Sequence, residues 1–166
     1  MPHDKPAELA LNFSVRDDPE HRKREDELDL ATAPGYQLFF SCFVGDVDLR
    51  LDGVNFRTRF GWVATLSFAI GFAWRLSGLP AAGRMSMDFL EDDEWLSLRF
   101  DDGRVLVSSS YARGIAVVPY GDLLNLARDS LTRHADGLMA AYPRLAENRI
   151  LAGRLAMVRG GPTPGA

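Results

Sequence analysis

The chain has 166 residues and a formal net charge of −4, with 46% hydrophobic and 25% charged residues. These values are typical of one ordinary globular domain that buries a core without disulfides or metals. The acidic balance argues against a general nucleic-acid-binding protein, because phosphate neutralisation needs a basic surface. It is compatible with a basic protein partner, and also with a charged surface that only keeps the protein soluble.

The single cysteine, Cys42, lies in an apolar run and has no partner for an internal disulfide. A reduced, buried thiol is therefore expected, which favours a cytoplasmic location. Residues 1–10 carry charges and no apolar signal-peptide core, and the longest apolar segment, 62–74, is too short to span a bilayer. We expect no membrane association, disordered ends at 1–10 and 159–166, and one domain over 11–158.

Alternation of apolar and polar residues predicts a short strand over 11–15 and a long one over 38–51. Between them, the run 17–29 mixes charges of both signs with almost no apolar residues, so we expect an exposed charged loop or a frayed helix. Asp52–Gly53 supplies a hairpin turn, since both positions tolerate positive φ, and the return strand is predicted over 54–60.

From residue 61 the sequence period becomes helical and predicts a helix to residue 76, ended by Gly78 and Pro80. We expect this helix to cover one face of the sheet. The side chains expected to be buried there are Trp62, Leu66 and Ile70. The residues of the opposite face are Ala64, Ser67, Gly71 and Arg75, most of them small. This face favours close packing by a second helix of this chain, with another protein as the alternative.

Four more strands follow, with turns so short that consecutive strands must be antiparallel neighbours. They are predicted near residues 84–90, 95–101, 104–111 and 114–119. An amphipathic helix is predicted over 122–142, broken by Pro143, and a weaker helix over 145–158. The predicted fold class is α+β: an antiparallel sheet made of a hairpin and a four-strand meander, with the helices packed on one face.

His134 is the only histidine expected in an ordered element, within the apolar stripe of the last long helix. Burial can shift the pKa of a histidine and make it a base, which raises the question of a pairing with Ser108, Ser109 or Ser110. These serines lack the Gly-x-Ser-x-Gly elbow of a nucleophile, and we interpret His134 as structural. The prediction is a protein that is not an enzyme and uses no cofactor.

The aspartates of the predicted strands and turns raise the question of a metal site. Asp46 and Asp48 share one strand face, and Asp101 and Asp102 occupy a turn. A calcium loop needs regularly spaced oxygen ligands that end in a bidentate glutamate, and zinc needs clusters of cysteine and histidine. Neither pattern occurs in the sequence, so no metal site is predicted.

The acidic turn that begins at Glu91 has the composition of an interface. Four carboxylates, at residues 91–94, precede Trp95, whose side chain is expected on the face opposite Leu96. Tryptophan is enriched among interface hot spots, and acidic neighbours steer a basic partner. The predicted partner-binding site consists of Asp92, Asp93, Glu94 and Trp95. The alternative is a solvated turn whose tryptophan covers the second face of the sheet.

The order hairpin, helix, meander, helix resembles that of uncharacterised small domains of actinobacteria. The segments that carry this resemblance lie between Gly45 and Ala127 and read GDVDLRLDGVNF, GWVATLSFA and FDDGRVLVSSSYARGIAVVPYGDLLNLA. In architecture and acidity the chain is also similar to immunity proteins of bacterial toxin systems. The resemblance implies an α+β domain that binds another bacterial protein, and it transfers no functional residues.

Two functional hypotheses follow from the sequence. The first is a non-catalytic protein-binding domain, of the immunity type or a regulatory partner, that contacts a basic protein. The second is a small-molecule-binding or enzymatic domain with an apolar pocket between the sheet and the first helix. The expected lining of that pocket is Trp62, Met85, Met87 and Phe89.

Overall fold

The computed structural model describes residues 8–89 and 92–160 of the chain. The described residues form an α+β fold with two four-stranded antiparallel sheets. The strands are β1 (Leu9–Val15), β2 (Val44–Leu51), β3 (Val54–Asn55), β4 (Val63–Ala64), β5 (Arg84–Phe89), β6 (Glu94–Asp101), β7 (Arg104–Ser109) and β8 (Ala116–Pro119). The helices are α1 (Pro19–Glu27), α2 (Gly35–Phe40), α3 (Thr65–Ala82), α4 (Tyr120–Ala141) and α5 (Arg149–Gly160), with a 3-10 turn at Pro143–Glu147.

The first sheet is built around β2, which pairs with β1 along its whole length and with β3 and β4 at its two ends. Val47, Leu49 and Leu51 are buried, whereas Asp48 is only partly buried. The predicted period-2 pattern of this strand is therefore confirmed. The second sheet is separate, so the single sheet that we expected from the sequence is wrong.

The second sheet is the predicted meander, with β5, β6, β7 and β8 in spatial order and every pair antiparallel. Its inner face packs into the core through alternating residues, which are Leu96, Leu98, Val105, Val107, Ala116 and Val118. The two-residue turn at Asp102–Gly103 fixes the register between β6 and β7, because both of its residues adopt positive φ. This part of the prediction is confirmed.

Helix α3 packs against strands of both sheets and against α4. It begins at Thr65 and ends at Gly83, whose φ of 79° and hydrogen bond to the Leu79 carbonyl form the C-terminal cap. Pro80 does not end the helix, because the Leu76 carbonyl that loses its amide partner accepts from the hydroxyl of Tyr120 at 2.8 Å instead.

Two expectations for this helix are corrected. Leu66 and Ile70 are buried as predicted, but Trp62 lies before the helix and is 43% exposed. The small face does not receive a second helix at Gly71, because the nearest side chain to that glycine is Met87 of strand β5. An apolar strand residue fills the space that the sequence assigned to a helix.

The region from residue 17 to residue 64 departs most from the sequence predictions. For the charged run 17–29, where we expected either an exposed loop or a frayed helix, the structure has helix α1, because Asp18 caps it and Pro19 occupies its first position. Helix α2 replaces the start of the long strand, since the short apolar run Tyr36–Phe40 fits either structure. The return strand predicted over 54–60 forms ladder pairs only at its first two residues, but its register continues through the amides of Phe56 and Thr58, which donate to the carbonyls of Leu49 and Val47.

The chain ends differ slightly from the predicted boundaries. Leu9 and Ala10 belong to β1, and Arg159 and Gly160 belong to α5, so these four residues are ordered rather than disordered. Residues 1–7 and 161–166 of the predicted disordered ends, and residue 90 of the strand predicted near 84–90, lie outside the described residues. Within the described residues, none of the helices has the length and apolar character required to cross a bilayer.

Candidate functional site: an aromatic groove beside an open strand edge

A groove of about 300 Å³ opens between the segment 60–64, the start of α3 and the edge strand β5. We call it the aromatic groove. Its principal lining residues are Phe40, Phe60, Trp62, Phe68, Met87, Asp88, Phe89 and Asp92. Three of the four residues predicted for an apolar pocket, namely Trp62, Met87 and Phe89, line it. Met85, the fourth, lies further along β5 and does not line the groove.

Hydrogen bonds from β2 hold the segment that carries Phe60 and Trp62. The carboxylate of Asp46 accepts from the Thr58 hydroxyl at 2.8 Å and from the Gly61 amide at 3.0 Å. Gly61 has a φ of 80°, a conformation that an L side chain rarely adopts. Asp46 therefore serves as a structural anchor that fixes the two aromatic residues on either side of this bend.

The floor of the groove is a packed aromatic cluster. The ring of Phe89 lies 5.3 Å from that of Phe60 and 5.9 Å from that of Phe68, measured between centroids. Tyr111 belongs to the same cluster. Its ring centroid lies 5.5 Å from that of Phe60, and its hydroxyl donates to the Phe56 carbonyl. Burial, with the nearby negative charge of Glu94, raises the pKa of Tyr111, so its hydroxyl stays protonated at neutral pH.

The walls of the groove are exposed aromatic side chains. Phe40, at the end of α2, is 71% exposed. Trp62 also lines the groove, and its indole Nε1–H donates to Oδ2 of Asp92 at 2.9 Å. Large aromatic rings left in solvent around a concave surface are characteristic of binding sites, because folding alone does not require their exposure.

Strand β5 contributes an unpaired backbone edge. The guanidinium of Arg75 donates to the carbonyl of Ser86, so that carbonyl points away from β6. Backbone direction alternates along a strand, and the amide and carbonyl of Asp88 therefore point the same way, into the groove. Among the described residues, no hydrogen bond from outside the second sheet reaches the backbone of Asp88.

The predicted site residues divide between the two faces of this sheet. Asp92 lies at the mouth of the groove. Glu94 pairs with Phe89 in register, and its carboxylate accepts from the Ser110 hydroxyl. Trp95 pairs with Asp88, so both side chains lie on the outer face of the sheet, opposite Leu96. Asp93 is exposed in the turn, with a φ of 51°.

His134 lies away from the serines that the sequence suggested as partners. Its Nε2 is 2.9 Å from the Thr65 hydroxyl, and its ring stacks on Phe13 at 4.6 Å. Ser109 and Ser110 instead hydrogen-bond at the end of the second sheet. Burial lowers the pKa of His134 to about 4, so the imidazole is neutral at pH 7.

Thr65 also fixes the orientation of the imidazole. Its hydroxyl donates to the Phe43 carbonyl at 2.6 Å, and a hydroxyl has only one proton. The hydroxyl must therefore accept from His134, which assigns the proton of the neutral ring to Nε2. His134 thus belongs to a chain of hydrogen bonds that supports Phe43, where φ is 57° in a bulky residue.

Sequence reasoning missed Phe40 and the backbone of Asp88. Phe40 was assigned to a strand, and the exposure of the edge at Asp88 depends on which strand of the meander has no neighbour. Comparison of the chain with protein-family models, with curated proteins and with solved structures finds no match. The functional argument therefore depends on the geometry and charge of the aromatic groove.

Proposed function

We propose that this protein is a non-catalytic protein-binding domain that recognises a basic protein partner through the aromatic groove and the acidic turn beside it. The observation that carries the proposal is the Trp62–Asp92 hydrogen bond at the groove mouth. It combines an aromatic ring with a carboxylate on one concave surface. Rings of this kind contribute buried apolar area, while carboxylates raise the association rate of a cationic partner.

The charge around the groove supports a basic partner. Among the described residues that line the groove, two are aspartates and none is lysine, arginine or histidine, and Asp93 adds an exposed charge in the acidic turn. A partner with the opposite charge is steered towards this surface at low ionic strength. An immunity-type or regulatory role in a bacterial toxin system fits this chemistry, because such a domain acts by occupying a surface of another protein.

The chain provides a matched control for testing the acidic turn. Asp101, the last residue of β6, and Asp102, in the next hairpin turn, lie at the other end of β6, roughly 23 Å away for seven strand rises. Like Asp93, Asp102 has positive φ, with a value of 46°. Asparagine tolerates this conformation, so Asp→Asn substitutions at either turn remove two charges without forcing the backbone to change.

The experiment is affinity capture from the source organism, followed by association kinetics with the purified captured partner. Asp92→Asn/Asp93→Asn should slow association about tenfold at low salt and flatten its salt dependence. Asp101→Asn/Asp102→Asn should change the rate less than twofold. Trp95→Ala should mainly speed dissociation, since its indole contributes contact area. A partner whose kinetics respond equally to both double variants contradicts the proposal.

A second candidate function is small-molecule binding in the same groove. It is favoured by the three predicted lining residues that meet there and by a volume at the lower end of the range for ligand pockets. Ligand-observed NMR with apolar fragments tests it: Trp62→Ala should abolish binding, whereas Trp74→Ala, which alters another exposed indole, should not. An activity that is lost in His134→Gln with folding intact would instead identify an enzyme.

A further inference from the structure

We infer that the partner presents an extended basic segment that adds to the second sheet as a strand along the edge of β5, at Asp88. This inference rests on the proposed function and specifies how the partner binds. It is carried by the position of an unpaired strand edge inside a groove that also holds rings and carboxylates.

The backbone of Asp88 is the point of attachment. Its amide and carbonyl face the groove, and an extended chain lying there completes both hydrogen bonds, as in other cases of strand addition. Towards the other end of β5, the guanidinium of Arg75 already donates a hydrogen bond to the Ser86 carbonyl. A charged side chain placed on a strand edge is a common protection against unwanted pairing. The accessible part of the edge is therefore short and adjoins the acidic turn.

Strand alternation explains why the predicted site residues lie on two faces. Successive side chains of an added strand point to opposite faces of the sheet. Those on the inner face enter the groove beside Trp62 and Asp92, and those on the outer face meet Asp88 and Trp95. One extended segment thus contacts carboxylates and indoles on both faces, although these groups do not converge on a single pocket.

The charges along the outer face set the position of the segment. Arg84 pairs with Arg99 at the start of β5, and Asp88 pairs with Trp95 near its end. A cationic side chain is repelled at the first pair and attracted at the second. The guanidinium of arginine suits this second position, because it stacks on an indole and pairs with a carboxylate at the same time.

The test uses a synthetic pentapeptide of alternating valine and arginine with blocked ends, titrated to millimolar concentration and followed by NMR. We expect the Trp62 indole N–H resonance to shift and hydrogen exchange of the Asp88 amide to slow at least fivefold. A peptide with glutamate in place of arginine, and one with N-methylated backbone amides, should produce neither effect. If the alternating peptide does not bind, or if it binds without protecting the Asp88 amide, the inference is wrong.

Proline substitutions provide a second, independent arm. Asp88→Pro removes an amide that points away from β6, so the sheet keeps its own ladder and peptide binding should weaken at least tenfold. Ser86→Pro makes the same change at the next outward-facing residue, beyond the groove, and should weaken binding less than twofold. Asp88→Asn removes the side-chain charge and keeps the backbone amide, so its effect on binding separates the loss of charge from the loss of the amide. Dispersed NMR spectra establish that each variant is folded.

The two proposals fail in different ways. If the captured partner depends on Asp92 and Asp93 but binds Asp88→Pro normally, strand addition is wrong and the proposed function stands. If the peptide adds to the edge but no captured protein depends on the acidic turn, the edge is a peptide-binding site and the proposed function is wrong. Equal binding of the peptide to wild type and Asp88→Pro also overturns strand addition.

Discussion

The two sheets of this protein differ in how regularly their strands pair. In the second sheet, four strands pair in sequence order, and the residues that face the core alternate with those that face solvent. In the first sheet, β2 pairs fully with β1, but its other neighbour is the irregular segment 54–64. This segment forms ladder pairs at its two ends and, between them, two backbone hydrogen bonds, from the Phe56 amide to Leu49 and from the Thr58 amide to Val47. The exposed aromatic residues Phe40 and Trp62 adjoin this irregular side. The irregular pairing thus lies beside the candidate binding surface. Functional sites are where proteins most often depart from regular local structure.

Specific hydrogen bonds stabilise the irregular backbone at Phe43, the residue before β2. The amide of Phe43 donates to the buried carboxylate of Glu25 at 2.9 Å, and its carbonyl accepts from Thr65. These bonds lie on both sides of a residue with left-handed backbone, a conformation that costs about 1–3 kcal/mol in a non-glycine residue. The first sheet should therefore be the more sensitive of the two to single polar changes, and the following predictions test this difference.

The largest effect is expected at Gly45, where β1 and β2 approach most closely. A Cβ atom there would lie 1.8 Å from the Ser14 carbonyl oxygen, a distance that requires the backbone to move. Gly45→Ala should lower the free energy of unfolding by about 3 kcal/mol or more, measured by urea denaturation. Gly78→Ala is the matched control, because nothing lies within 4 Å of its Cβ and alanine favours the helix. Equal stability of the two variants would contradict the close approach.

A pH-dependent loss of stability is expected from His134. Its folded pKa of about 4 lies below the ordinary value near 6.5, so the unfolded chain binds more protons between these pH values. The stabilising contribution is complete above pH 6.5 and falls by about 2–3 kcal/mol as pH decreases to 4. His134→Gln should flatten this part of the stability profile, measured by denaturation at each pH. A profile identical to that of the wild type would exclude His134 as its cause.

Glu25 should show the next largest effect. One carboxylate oxygen accepts from the Phe43 amide, and the other is buried without a hydrogen-bond partner among the described residues. Glu25→Ala leaves a buried amide unpaired and should cost about 1–3 kcal/mol. Glu25→Gln keeps the accepting oxygen and should cost less than about 1 kcal/mol. Thermal unfolding of the two variants side by side measures the difference, and equal losses would show that the charge matters more than the hydrogen bond.

The contrast between the sheets also explains how far sequence reasoning reached. The meander was predicted strand by strand, because alternation and the Asp102–Gly103 turn both act locally. Helix α2 was missed, since a short apolar run fits a strand as well as a helix. The separation into two sheets depends on long-range pairing, which no local pattern encodes. For the same reason the sequence predicted a pocket that holds Trp62 and Phe89 but assigned Asp92 to a separate acidic turn, whereas all three line one groove.

The smallest effect on stability is expected at Phe40, and it bears most directly on function. Phe39, its neighbour on α2, is 8% exposed and has the guanidinium of Arg154 5.7 Å above its ring, whereas Phe40 is 71% exposed. Phe39→Ala should cost about 3–5 kcal/mol, as for other buried aromatic residues. Phe40→Ala should change stability by less than about 0.5 kcal/mol, because folding buries little of this ring. The same variant should weaken binding of the alternating peptide at least fivefold, since the ring forms a wall of the groove. A loss of stability at Phe40 as large as that at Phe39 would show that the ring serves the fold, and the aromatic groove would then lose one of its walls as a binding surface.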